Sequence, residues 1–352
     1  MPAYQYVYHL DGVTKAFPGG KKVFENIRLN FLPDAKIGVV GVNGSGKSTL
    51  LKIMAGEDTD IVGEAKAADG IKVGYLPQEP KLDPTKSVFQ NIASKCPEHG
   101  WVEEFNAISM KLGEDYSDEL MEQMTKLQEK IDAADAWDID SKIEMAMNAL
   151  RCPPGDADVS KLSGGEIRRA AICALLLSKP DMLLMDEPTN HLDAESVAWL
   201  QNYLTNFPGC VVLVTHDRYF LDQITTWILE LDRGRGIPYE GNYSVWLDKK
   251  SKRLAQEERE EDGRKRSLNK ELEWVRASPK ARQAKSKARI NAYNEKASFA
   301  ELEKITTAQI RIPPGPRLGS VVLEVEHLNK AFGDKLLIDN LTFKLPPGGI
   351  VG

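Results

Sequence analysis

Short, unbroken apolar runs that end in small or polar residues recur along the first two thirds of the chain. The clearest are KIGVV at 36–40, MLLM at 182–185 and VVLV at 211–214. Runs of this kind are typical of strands that are buried on both faces. TLLKIMAG, which follows the first run, has the spacing of a helix. Strands that alternate with helices predict an α/β fold.

Helical spacing dominates two other regions. From about 95 to 137, two apolar stripes recur every three or four positions and predict an inserted helical hairpin, the arm. The stripes consist of Val102, Phe105, Ile108 and Leu112, then Leu120, Met124, Leu127 and Ile131. From about Leu247 to Ile310 the chain is charged, rich in alanine and interrupted at Ser278-Pro279. This second region predicts another helical hairpin, the linker.

An internal repeat relates the two ends of the chain. VTKAFPGGKKVFENIRLNFLPDAKIGVVG near the start is echoed by LNKAFGDKLLIDNLTFKLPPGGIVG at the end. The matched pairs are Phe332 with Phe17, Asn340 with Asn26, Pro347 with Pro33 and Gly352 with Gly38. We therefore expect residues 321–352 to begin a second copy of the first domain, ending three residues before the counterpart of Gly41.

The composition is that of a globular protein, with 42% hydrophobic and 28% charged residues. No apolar stretch approaches the roughly 18 residues that a membrane span needs, so we expect a cytoplasmic protein without a membrane partner. The four cysteines lack CxxC spacing, which favours buried thiols over a metal site or disulfides. They are Cys96, Cys152, Cys173 and Cys210.

The net charge of −6 conceals two opposed segments. Between Glu103 and Glu144, thirteen acidic residues accompany four lysines, whereas between Arg264 and Arg289 ten basic residues accompany two glutamates. The basic charge is densest in the linker, at Arg276, Lys280, Arg282, Lys285, Lys287 and Arg289. From charge alone, both a solvated helical surface and a site for RNA phosphates remain open.

The strongest chemical signal is GVNGSGKST, which fits G-x-x-x-x-G-K-[ST] between a predicted strand and a predicted helix. In this context backbone N–H groups converge on phosphate oxygens, the lysine reaches the terminal phosphates and the following serine coordinates Mg²⁺. The candidate residues are Gly41, Asn43, Gly44, Ser45, Gly46, Lys47, Ser48 and Thr49.

Two carboxylates, Asp186 and Glu187, follow the apolar run at 182–185. Such a pair at a strand end is otherwise a solvated turn. Beside a phosphate-binding loop, Asp186 suits a ligand of hydrated Mg²⁺ and Glu187 suits a base that polarises the attacking water.

LSGGE at 162–166 precedes a basic helical stretch, and Ser163, Gly164 and Gly165 offer a hydroxyl and backbone donors to an anion. Together with the two preceding motifs, it resembles the signature sequence of the ATP-binding-cassette superfamily. That resemblance implies further roles for four residues. They are Gln78 as the Q-loop ligand and catalytic residue, Asp193 in the D-loop, His216 as the switch histidine and Phe17 stacked on adenine. ATP is favoured over GTP because no NKxD-type motif is present.

Two cassettes without membrane spans, and the wording DEPTNHLD, resemble the ABC-F family. The linker stretches KELEWVR, KARINAYNE and IPPGPRLG strengthen this resemblance. It implies a first cassette over 1–245, a basic linker over 246–312 and a truncated second cassette over 321–352. It also implies a translation factor that binds the ribosomal exit site, with the linker against P-site tRNA and 23S rRNA and the arm at the L1 stalk.

In such proteins two cassettes sandwich ATP, so a second cassette is needed in the same chain, or a homodimer in its absence. Because the arm is acidic, we hypothesise that it contacts a basic ribosomal protein; a merely solvated insert is the alternative. Three rival functions remain: a transporter's ATPase subunit, a DNA-repair or chromosome-organising ATPase, and an inactive nucleotide-binding fragment. The lack of zinc-type cysteines disfavours the DNA-repair or chromosome-organising ATPase. The inactive fragment remains an alternative, because the chain contains one phosphate-binding loop and one signature.

Overall fold

The computed structural model describes residues 6–17, 22–114, 117–277, 321–333 and 335–347. The chain divides into two compact units, Met1–Gly263 and Arg264–Gly352. Among the described residues no helix is long and apolar enough to cross a membrane.

The strands of the first unit are β1 (Tyr8–Ala16), β2 (Lys22–Phe31), β3 (Lys36–Gly41), β4 (Val62–Ala67), β5 (Val73–Leu76), β6 (Met182–Asp186), β7 (Cys210–Val214), β8 (Trp227–Asp232) and β9 (Arg235–Glu240). Its helices are α1 (Lys47–Met54), α2 (Val88–Ala93), α3 (Pro97–Glu114), α4 (Asp118–Ala133), α5 (Ile139–Ala149), α6 (Gly164–Leu177), α7 (Ala194–Asn206) and α8 (Arg218–Ile224). A ninth helix, α9, spans Tyr243–Ala277.

The central layer is a six-stranded sheet in the order β5-β6-β7-β3-β8-β9. All neighbours are parallel except β9, which runs antiparallel to β8. Alternate residues of β6 enter two separate apolar cores, Leu183 and Met185 on one face and Met182 and Leu184 on the other. Burial on both faces explains the unbroken apolar runs, and the predicted α/β fold is confirmed.

A smaller antiparallel sheet, in the order β2-β1-β4, packs on the second of these cores. The register of β1 against β2 shifts between Leu10 and Val13. Gly12 and Asn26 adopt the left-handed conformation there, and Thr14 Oγ1 accepts a hydrogen bond from the amide of Asn26 at 2.9 Å. This is a β-bulge that bends the sheet.

The arm region consists of α3 and α4, which pack against each other. The side chains of Ile108, Leu127 and Ile131 are buried, and the other five residues of the two apolar stripes are half-buried. Phe105 makes an edge contact with the ring of Trp137. The stripes therefore form the inner sides of the two helices, as their spacing predicts.

Within the second unit, β10 (Leu323–Phe332) and β11 (Lys335–Leu345) form an antiparallel pair. Its register shifts between Val325 and Leu328, the counterparts of Leu10 and Val13. His327 and Asn340 are left-handed like Gly12 and Asn26, and Asn329 accepts a hydrogen bond from the amide of Asn340 as Thr14 does from Asn26. The repeat thus extends to the geometry of the bulge.

The helix predicted from about Leu247 begins earlier, at Tyr243. The side chain of Asn242 accepts a hydrogen bond from the amide of Val245, and Asp222 accepts one from Ser244, so the first free N–H groups are satisfied before Leu247. The second half of the predicted hairpin, and its interruption at Ser278-Pro279, lie outside the described residues.

Candidate nucleotide site

The predicted phosphate-binding loop lies between β3 and α1. Gly44 and Gly46 have φ angles of 81° and 95°, in the region that favours glycine. Lys47 Nζ donates hydrogen bonds to the carbonyls of Gly41 at 2.9 Å and Val42 at 3.2 Å. The lysine therefore spans the loop, with its ammonium group at the place where phosphates are expected.

The charge of Lys47 faces the acidic pair at the end of β6. Burial lowers the pKa of Lys47, whereas the negative charges of Glu187 and Asp186 act in the opposite direction. Lys47 is far from Asp186 and Glu187 in sequence, and the parallel pairing of the strands brings all three to one edge of the sheet.

A cleft of about 1070 Å³ is lined by Ser48, Gln78 and Asp186, among others. Asp186 is 1% exposed, and within the described part of the chain its Oδ1 atom has no hydrogen-bond partner. A buried, unpartnered carboxylate oxygen is costly unless a cation is nearby. The set of hydroxyl, amide and carboxylate oxygens suits Mg²⁺, so the residues present fit the ion.

Glu187 and His216 meet at the ends of neighbouring strands. The amide of His216 donates to Glu187 Oε2 at 3.3 Å, and His216 Nε2 lies 3.5 Å from Glu187 Oε1. Glu187 has a φ of 53°, which is strained for a residue with a side chain and is held by a 2.7 Å hydrogen bond from its amide to the carbonyl of Val214. Its carboxylate is buried, whereas His216 is 69% exposed.

Sequence reasoning missed Arg168, which is buried on α6. Its guanidinium donates hydrogen bonds to the backbone carbonyls of Gln78, Asp186 and Glu187. The sequence did contain a signal for Arg168. It lies four positions before Ile172, so helical spacing places a charged residue on the apolar side of α6.

The signature residues lie at the start of α6 and not in the described lining of the cleft. Ser163 caps α6 by accepting a hydrogen bond from the amide of Glu166, whose side chain in turn accepts one from the amide of Ser163. This reciprocal capping box leaves Gly164 and Gly165 at the start of the helix. Ser163, Gly164 and Gly165 are not among the described residues that line the cleft with Ser48.

The remaining predicted residues have more open surroundings. Phe17 is 49% exposed, and Asn43 is exposed at the tip of the loop. Asp193 accepts a hydrogen bond from Ser196 Oγ at 2.6 Å and pairs with Arg151 at 2.9 Å. Of the six predicted RNA-binding residues, Arg276 lies in α9, where the structure describes its backbone but not its side chain. The other five lie outside the described residues.

Comparison with known proteins identifies the family. A family model described as ABC transporter matches residues 24–190, and a second model with the same description matches residues 229–311. The ATP-binding protein ChvD of Rhizobium radiobacter is 59% identical over 251 residues, which cover 71% of this chain and 86% of that protein. The energy-dependent translational throttle protein EttA of Mycobacterium tuberculosis is 53% identical over 350 residues, 99% of this chain. The chain belongs to the ABC-F family.

This ABC-F chain is also 52% identical over 357 residues to the EttA protein of Escherichia coli K12. It spans 62% to 63% of the length of the throttle proteins that it matches. The predicted resemblance to ABC-F proteins is therefore confirmed.

Proposed function

We propose that this chain binds ATP together with Mg²⁺ and contributes the phosphate-binding loop, metal ligand and catalytic base of an ATP-hydrolysing site. The proposal rests on one observation. The Glu187 carboxylate approaches His216 beside the loop that carries Lys47. Phosphoryl transfer depends mainly on positioning and electrostatic stabilisation, and both are built into this edge of the sheet.

Each residue has a distinct task in the proposed reaction. Glu187 accepts a hydrogen bond from the attacking water and polarises it, and His216 holds the carboxylate in place. Lys47 contacts the terminal phosphates, and Ser48, Gln78 and Asp186 would hold Mg²⁺. When bound, Mg²⁺ neutralises charge that develops on the phosphate oxygens.

We further propose that the chain acts in translation, by binding the ribosomal exit site and regulating elongation according to its nucleotide state. The support is the identity of 52% to 53% with throttle proteins along 99% of the chain. In this proposal the basic linker contacts P-site tRNA and 23S rRNA, and the acidic arm contacts a basic protein at the L1 stalk. A cytoplasmic location follows from the same role.

The signature residues act in the proposed closed state. Ser163, Gly164 and Gly165 would contact ATP held by an opposite cassette, since they do not line the cleft of their own. The repeat of the β1–β2 bulge in β10–β11 supports a second cassette in the same chain. A homodimer is the alternative source of the opposite cassette.

The test is the Glu187→Gln variant of the protein as its source organism produces it. Loss of the base should lower ATP turnover by about 10²- to 10⁴-fold while ATP is still bound. We therefore expect the variant to remain on ribosomes in the presence of ATP, as measured by sedimentation. Glu240→Gln, at the exposed end of β9, is the matched control and should behave as the wild type.

Unchanged turnover of Glu187→Gln would show that another residue is the base. The Glu187→Gln variant could also bind ATP without hydrolysing it and yet not remain on ribosomes. That result would support the proposed ATP site and contradict the proposed role in translation. Recovery of the wild type with membranes instead of ribosomes would favour a transporter's ATPase subunit.

A further inference from the structure

Arg168 is a charged residue in an unusual place. It lies on α6, five positions after Ser163, and is 3% exposed. A cation buried to this extent is costly unless hydrogen bonds compensate it. Its partners therefore indicate why it is tolerated there.

All three partners are backbone carbonyls of predicted site residues. One Nη atom donates to Gln78 at 2.5 Å, and the other donates to Asp186 at 2.6 Å and also to Glu187. Gln78 follows β5, and Asp186 ends β6, which is its neighbour in the sheet. The planar guanidinium thus bridges two adjacent segments, a geometry that the single ammonium group of lysine cannot reproduce.

The hydrogen bonds from Arg168 hold the main chain of these three residues and leave their side chains free to act in the site. Asp186 Oδ1 is without a described partner, and the Glu187 carboxylate faces His216. The directions of these side chains follow from where their backbones are held. The distance between Gln78 and Asp186 across the cleft therefore depends on a residue that does not itself line the cleft.

We infer that Arg168 is a positioning residue that holds the backbone of Gln78 in register with that of Asp186 and Glu187, and so sets the geometry of the metal ligands and base. This inference rests on the proposed nucleotide function of the cleft. Because Ser163 caps α6, the same helix and its arginine link Ser163 to the backbone of the proposed metal ligands in its own cassette.

Lys36 provides a matched control. It is also buried, and its ammonium group donates to two backbone carbonyls, those of Phe207 at 2.6 Å and Gly209 at 2.7 Å. It lies at the start of β3, whereas the phosphate-binding loop follows the end of that strand. Lys36→Met therefore removes a comparable buried cation without touching the carbonyls of the site.

The first experiment measures amide hydrogen exchange in the protein without nucleotide or metal. Arg168→Met should accelerate exchange of the segments around 77–79 and 186–189 by about tenfold, because three hydrogen bonds to their carbonyls are lost. Lys36→Met should accelerate exchange around 207–211 instead. Equal protection of 77–79 and 186–189 in the wild type and Arg168→Met would overturn the inference.

The second experiment measures turnover and its Mg²⁺ requirement. Residues that orient metal ligands typically contribute about 10- to 100-fold to metal affinity or activity. Arg168→Met should lower kcat and raise the half-saturating Mg²⁺ concentration within that range, with a smaller effect on KM for ATP. Arg168→Lys should remain impaired, since it restores the charge but not the three contacts.

Full recovery in Arg168→Lys would assign the effect to charge alone and overturn the positioning role. If Arg168→Met does not fold, Arg168→Lys carries both experiments. If the wild type hydrolyses no ATP, the proposed function fails, while the exchange experiment still decides the role of Arg168.

Discussion

Gly46 has the narrowest steric tolerance in the phosphate-binding loop. Its φ of 95° is left-handed, and a Cβ atom there would lie 2.4 Å from Val23 Cγ1 and 3.0 Å from the ring of Phe24. Both neighbours belong to β2, so the loop is pressed directly against the smaller sheet. The last glycine of the motif is thus required for packing as well as for backbone conformation.

We predict that Gly46→Ala abolishes measurable ATP binding, because the added methyl group displaces the loop from β2. Gly56→Ala is the control, since Gly56 has a φ of 77° and nothing within 4 Å of the added atom. The free energy of unfolding of the control should fall by only about 1 kcal/mol, the cost of a left-handed alanine, and its ATP affinity should be unchanged. Calorimetric titration with ATP and thermal unfolding distinguish the two, and equal ATP affinity in both variants would contradict the packing argument.

The first turns of α9 are held by charge on β8. Glu230 is 1% exposed and pairs with Lys250 at 2.7 Å and with Arg253 at 3.3 Å. Arg253 also pairs with Asp232 at 3.0 Å, and β8 lies beside β3, the strand that leads into the phosphate-binding loop. The linker helix is therefore anchored to β8, the strand beside β3.

We expect Arg253→Met to lower the free energy of unfolding of this protein by about 2 kcal/mol, because Glu230 keeps only one cationic partner in a buried position. Arg259→Met, at an exposed position of the same helix, should change it by less than about 0.5 kcal/mol. Urea unfolding monitored by circular dichroism measures both. A loss as small as that of the control would mean that apolar packing alone anchors α9.

The distribution of charge along the entire chain distinguishes two segments of opposite sign. Acidic residues predominate between Glu103 and Glu144, in and beside α3 and α4, whereas basic residues predominate between Arg264 and Arg289. Opposed segments of this kind match partners of opposite sign, and polyanion binding is strongly dependent on salt. The proposed contact of the linker with RNA can therefore be measured without knowing its geometry.

We predict that replacing Lys280, Arg282, Lys285 and Lys287 by Gln reduces the slope of log affinity for ribosomes against log salt by about 3, since each lost phosphate contact contributes roughly 0.7 to 0.9. The control replaces four basic residues of α9, which are Lys249, Lys252, Arg259 and Arg266. We expect the control to change the slope by less than about 1. Equal slopes in the two variants would refute a specific role for the stretch between Arg276 and Arg289, where the basic charge of the linker is densest.

The sequence by itself determined the buried strands, the arm stripes and the phosphate-binding loop, because each depends on residues that are close together along the chain. It also determined the repeat, because a comparison of the two ends of the chain needs no structure. Lys47, Asp186 and Ser163 could be named from such local patterns. Only the tertiary structure decided that Glu187 contacts His216, that Arg168 bridges Gln78 to Asp186, and that Lys250 and Arg253 of α9 pair with acidic residues of β8. These contacts depend on the strand order β5-β6-β7-β3-β8-β9, which brings together segments that are tens of residues apart. No local spacing encodes that order, since it results from the packing of both apolar cores against a single sheet.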